Sequence, residues 1–259
     1  QQINSEDAKI LEELKITGHL NTFDYEFLKT MPNLKTVDLS ELGDVSIPAS
    51  AFNSSKVSTV LLPLNLKTIS DRAFYNSSIT SVYIPQTVES IGQYAFANTS
   101  KLTGNIVIPQ KTVTIGERAF EYSAFNGTLI LEEGVQSIGT AAFAGCSKVT
   151  GDLVIPNSVT SMKGSAFQSS TFTGSLSIGN GLDIPTYAFH GCSSFKGEIT
   201  IGENVKSIGD HAFEGCSGFT GNLIIPNKVE TMGIYAFYAC IGFEGYLSIG
   251  NSIKSIGKC

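Results

Sequence analysis

The chain has 259 residues, 42% of them hydrophobic and 15% charged, with a formal net charge of −6. That apolar content supports a substantial core and excludes a disordered chain, while no apolar run approaches the ~18 to 20 residues a bilayer crossing needs. The 17 Lys plus Arg are scattered without a basic stripe, which excludes a protein built to grip phosphate backbones, so neither nucleic acid nor membrane insertion is expected. The start, "QQINSEDAKI", lacks the basic and apolar segments of a signal peptide, so an exported form is expected to have lost its signal ahead of this sequence.

In chain order, "LEELKI" and "LKTVDL" read as the first two strands, with inward pairs Leu14/Ile16 and Val37/Leu39, separated by the irregular "NTFDYEFLKTMPN". From residue 46 a periodic pattern takes over. The dipeptide Ala-Phe recurs with its phenylalanines at Phe52, Phe74, Phe96, Phe120, Phe143, Phe167, Phe189, Phe213 and Phe237, always 22 to 24 residues apart. Ahead of each lies an apolar-x-apolar segment, as in Val60/Leu62, Val82/Ile84, Ile106/Ile108, Leu129/Leu131 and Leu153/Ile155, so eleven short strands are expected. Proline follows several of them, where a residue without N–H ends a strand. A second apolar pair, such as Val88/Ile91 or Val205/Ile208, then marks a return path to the Ala-Phe turn. A motif repeated at this interval is a structural rung: one coil cannot bury its own apolar positions, so each copy must match its neighbours. Stacked Phe rings are expected to form a continuous spine. The last copy, "SIKSIGKC", stops before an Ala-Phe turn, which leads us to expect either a longer protein or a partner over an open end.

The running pattern, clearest in "IPNKVETMGIYAFYAC", resembles the BspA-like branch of leucine-rich repeat proteins over roughly residues 46–259, with residues 1–45 as atypical capping repeats. The expected architecture is therefore one right-handed leucine-rich-repeat solenoid, with short parallel strands on the concave face and turns or short helical segments on the convex face. The resemblance implies a secreted or surface protein, mostly bacterial, with roles in adhesion.

Candidate sites are few. Cys146, Cys192, Cys216 and Cys240 all sit three residues after the Ala-Phe phenylalanine, where other copies hold Ser or Thr. They read as buried free thiols, with no disulfide or metal role. His19, His190 and His211 occupy different phases of the repeat and cannot form a column, and no Ser-His-Asp pattern or phosphate loop appears, so neither an enzyme nor a cofactor is expected. The sequons at Asn53, Asn76, Asn98 and Asn126 mostly coincide with a turn that favours Asn anyway.

The outward strand column is freer, because no core dictates it. From Leu61 through Tyr83, Val107, Ile130 and Val154 it is apolar or aromatic, flanked by a polar column that includes Ser81, Asn105, Thr128 and Asp152. β-Branched residues suit strands in any case, yet a contiguous exposed apolar stripe also marks binding surfaces. These nine residues are the expected concave-face site for a host or microbial surface protein or glycan. The competing expectation is a passive spacer that displays some other module.

Overall fold

The computed structural model describes residues 6–258. Cys259 lies outside them. The first coil opens with helix α1 (Asp7–Ile10) and strand β1 (Glu13–Gly18), then helix α2 (Thr22–Thr30), then strand β2 (Thr36–Leu42). Helix α2 forms where "NTFDYEF" carries a complete start signal. The Asn21 side chain accepts from the N–H groups of Phe23 and Asp24 at 2.8 and 3.3 Å, and the Asp24 carboxylate accepts from the Asn21 N–H at 2.8 Å. The helix turns Tyr25 and Leu28 inward. Tyr25 meets Phe52 edge-on, with centroids 5.6 Å apart, so it occupies the slot that Ala-Phe fills in later coils.

Beyond the first coil the chain is a stack of parallel-strand turns, and among the described residues α2 is the last helix. Ten of the eleven expected rungs are strands, from β1 and β2 through three-residue segments such as Thr59–Leu61, Ile106–Ile108 and Leu129–Leu131 to Leu247–Ile249. Among the three-residue strands the register follows the repeat, as in Val107 opposite Ile130 and Val154 opposite Ser177, while the longer β1 and β2 slip by one residue between Lys15 and Thr17. The exception is the rung of Val82 and Ile84, which pairs only through Ser81, bridged to Thr59. It sits where the loop between Phe and strand lengthens, from nine residues in the Phe74–Tyr83 interval to eleven in Phe96–Val107. The extra residues break the ladder, although Ile84 stays buried.

The return path differs from the expected turns or short helical segments. Its Ser/Thr-Ile/Met pairs form a second parallel column, six strands long from Ser46–Ile47 to Ser161–Met162, resumed by Ser207–Ile208, Thr231–Met232 and Ser255–Ile256. Each β-branched residue can point inward while the backbone pairs with neighbouring coils, so the return path leaves few orphan polar groups.

The Ala-Phe turn supplies a third column. In one coil the N–H groups of Tyr94, Phe96 and Asn98 donate to the carbonyls of Glu117, Ala119 and Glu121 in the next, at 2.9, 2.6 and 2.8 Å, while Ala95 and Ala97 donate within the turn. This alternation requires residues of positive φ on either side of Ala-Phe, such as Tyr94 (54°) and Asn98 (57°). Inside it the nine Phe rings stack from Phe52 to Phe237, with successive centroids 4.9 to 5.4 Å apart and planes within 13° of parallel. A shorter second row runs through Phe172, Phe195, Phe219 and Phe243. The spacing follows from the inter-strand distance of ~4.8 Å, which fixes the rise per coil.

Candidate functional site

Strand alternation puts the outward column in solvent. Leu61, Tyr83, Ile130 and Val154 are 47%, 64%, 47% and 53% exposed, and Val107 is half-buried. Toward the first coil the column changes character: Lys15 lies opposite Asp38 and is paired with Glu41 at 2.7 Å, a neutralised polar group. Toward the other end it passes through Ser177 and Thr200 before Ile224. The apolar run is thus bounded on both sides.

The flanking polar residues also serve the fold. Asn105 accepts from the Thr128 N–H at 2.9 Å and Asp152 from the Ser175 N–H at 2.7 Å, each clasping the next coil. The acceptor oxygen occupies space that a side chain would need: a Cβ on Gly127 or Gly174 would lie 2.1 Å from it, which explains glycine there. Ser81 and Asn105 are exposed beside the stripe, as is Asp152, and Thr128 is half-buried.

Cys146, Cys192, Cys216 and Cys240 are free thiols. Each donates to the carbonyl of the phenylalanine one coil back, for example Cys192 Sγ to Phe167 at 3.0 Å and Cys216 Sγ to Phe189 at 3.1 Å. Ser170 does the same with Phe143 at 2.6 Å. The position therefore selects a small donor, which accounts for its alternation among Cys, Ser and Thr. Burial pushes the thiols up, to about 12 for Cys192 and Cys240, which disfavours the thiolate that a nucleophile or a metal ligand needs.

His190 and His211 form no column, as expected, but the structure does bring them together on one carboxylate. Glu214 lies 2.5 Å from His211 Nδ1 and 3.7 Å from His190 Nε2. His211 is stacked on Tyr187 with centroids 4.6 Å apart. Among the described residues no group of His, Cys, Asp and Glu has the geometry to hold a metal ion. A hollow of about 900 Å³ opens beside the first coil between β1 and α2 and reaches the outward column only at Lys15.

A second surface escapes the strand-based reading altogether. The positive-φ position before Ala-Phe faces outward, and in three successive coils it holds Arg72, Tyr94 and Arg118. The two guanidinium carbons lie 5.4 and 5.6 Å from the Tyr94 centroid, so the ring is held between cations from the coils before and after it. Tyr75 meets Tyr94 edge-on at 6.0 Å. These residues, with Asn53, Asn98, Glu121 and Tyr122, line a hollow of about 440 Å³. Bulky side chains in this backbone region cost about 1 kcal/mol each relative to glycine. Comparing this one column between coils exposes the departure, since elsewhere it holds the small residues Ser50, Ala141 and Ser165 or the aromatic set Tyr187, His211 and Tyr235, and an arginine only at Arg72 and Arg118.

A stack of short parallel strands with one phenylalanine per turn is the solenoid of a leucine-rich repeat protein. The model of the BspA-type leucine-rich repeat region matches in six copies, over residues 6–103, 67–196 and 182–259. The chain belongs to that family. Its fold is similar to that of a leucine-rich repeat protein from Bacteroides ovatus, at 21% identity over 95% of this chain and 82% of that one, with a TM-score of 0.46. A leucine-rich cell surface protein from Faecalibacterium prausnitzii is 23% identical over 87% of this chain and 62% of that one, with a TM-score of 0.49. The pneumococcal vaccine antigen PcpA is 18% identical over 85% and 66%, with a TM-score of 0.44. The chain thus spans less than two thirds of the latter two. No curated protein matches the sequence.

Proposed function

We propose that this chain is a non-enzymatic recognition scaffold, displayed at a cell surface or secreted, that binds a host or microbial surface protein or a glycan through its three-residue-strand face. The observation that carries this reading is the bounded apolar stripe of Leu61, Tyr83, Val107, Ile130 and Val154. Four of its side chains stand on paired strand backbone and Tyr83 on the rung bridged through Ser81, and all contribute little to the core, whereas a spacer has no use for solvent-exposed apolar groups in successive rungs. Ser81, Asn105, Thr128 and Asp152 beside it supply polar contacts; Asn105 and Asp152 do so through the atoms that their clasps leave free. Membership of the BspA-type family supports the surface assignment.

The test is a screen of the chain against extracellular-matrix proteins and surface glycans, repeated with a Tyr83→Ala, Ile130→Asp double variant. Loss of at least tenfold in affinity with an unchanged melting curve is expected. Normal binding by that variant, or no ligand at all in favour of the spacer, would sink the assignment.

A further inference from the structure

We propose that the hollow around Arg72, Tyr75, Tyr94 and Tyr122 is a second binding site, for a carboxylate-bearing sugar residue of an acidic glycan. It lies at the Ala-Phe turns, on a different side of the coil from the strand face, and goes beyond the function proposed above.

The argument begins with Arg72. Its guanidinium rests over the Tyr94 ring at 5.4 Å and forms no ion pair among the described residues, so its hydrogen-bonding edge is available. Arg118, on the other side of Tyr94, is different: its Nε lies 3.6 Å from Glu117 and 3.8 Å from Glu121, too long for hydrogen bonds, and is buried without a hydrogen-bond partner. The hollow therefore contains one unpaired cation and one loosely compensated one, in a chain whose formal charge is −6. A guanidinium positioned over an aromatic ring, with no carboxylate of its own to satisfy, can offer two parallel bonds to an incoming carboxylate.

The remaining wall favours a sugar over an acidic peptide. Tyr75 and Tyr122 present aromatic surface, and Tyr122 is 60% exposed. The Asn98 amide has no hydrogen-bond partner among the described residues, and the Glu121 carboxylate, 3.8 Å from Arg118 Nε and not hydrogen-bonded to it, is an acceptor half-sunk in the same wall. Hydroxyl groups can donate to Glu121 and accept from Asn98, whereas a second peptide carboxylate would be repelled by Glu121. A hollow of about 440 Å³ suits one or two sugar rings. The neighbouring turns lack this combination: Ala141 and Ser165 continue the column, and the stack of Tyr187, His211 and Tyr235 has its carboxylate, Glu214, already bonded to histidine.

The test titrates the 259-residue chain with D-glucuronate and N-acetylneuraminate, with glucose and triglutamate as controls, read by amide and side-chain chemical shifts. Binding of at least one acidic sugar is expected, with shifts at Arg72, Asn98 and Tyr122, at least tenfold weaker binding of glucose and triglutamate, and loss of affinity with added salt. Arg72→Gln should weaken acidic-sugar binding at least tenfold and Arg72→Lys several-fold, both with unchanged melting, while Ile130→Asp leaves it intact. No shift at the hollow with either acidic sugar overturns the proposal. So does equal binding of glucose, preference for triglutamate, or indifference to Arg72→Gln. Failure here leaves the strand-face reading standing, because the two sites share no residue.

Discussion

Cys192 shows how one position reconciles two demands. Its sulfur must be small enough to sit between coils and must donate to the Phe167 carbonyl, and the same burial that satisfies both holds the thiol near 12, against an ordinary value of 9.0. Cys146, Cys216 and Cys240 are shifted in the same direction by the same cause. The sign of the linkage follows directly. The folded state resists ionisation that the unfolded state permits, so the contribution is full below about pH 8.5 and is lost as pH rises toward the folded values. Unfolding free energy is therefore expected to fall between pH 9 and 11, by up to about 1.4 kcal/mol per pH unit for each fully buried thiol. Denaturant titrations across that range should show the decline, and a variant with Cys146, Cys192, Cys216 and Cys240 replaced by serine should show a markedly smaller one, the remainder coming from the buried Tyr25 phenol, whose ionisation burial also opposes. Alkylation at pH 8 followed by peptide mass mapping should leave Cys146, Cys192 and Cys216 unmodified in the native protein. Modification at the rate of a free thiol, or a shift of the melting curve with reductant, would contradict this account.

At the level of the element, the Ala-Phe turn decides stability. Phe143 is fully buried and stacked on both Phe120 and Phe167, with centroids 5.1 and 5.3 Å away, whereas Phe23 on α2 is 82% exposed. Phe143→Ala is expected to cost about 3 to 5 kcal/mol and Phe23→Ala within about 0.5 kcal/mol, a contrast that paired thermal melts would read at once. This element was legible in the sequence because stacking forces the same residue type into every copy, so Phe52 to Phe237 announced their own register. Other features were not. The break at Val82–Ile84 depends on a two-residue change in loop length, which alters pairing but not hydrophobic pattern. The second strand column hides in two-residue Ser-Ile and Thr-Ile pairs, too short for alternation to show. In the first coil, Tyr25 stands in for Phe through a helix whose capping signal is plain in "NTFD" but whose core role appears only once Phe52 is beside it. The strand stripe could be read off directly, since alternation alone places Tyr83 and Ile130 outside. The Arg72, Tyr94 and Arg118 group escapes a strand-based reading, because it sits in a turn whose outward positions are set by backbone conformation, and it shows only when the residue before Ala-Phe is compared from coil to coil.

For the whole molecule, the direction of the hydrogen bonds matters more than their number. Strand, return path and turn all pair one coil with the next, along the axis of the stack, while the covalent chain runs around it. A pull on the two chain ends therefore acts on the inter-coil contacts one after another and never on all of them together, so the protein should yield by peeling at a modest, nearly constant force. Each step would release 22 to 24 residues, roughly 80 Å of extended chain, and a single-molecule trace should show a sawtooth of that period. One large rupture would show that the coils fail together. For a protein tethered at one end and gripped at the other, such a stack acts as a shock absorber, lengthening stepwise under load while the coils still folded keep their shape.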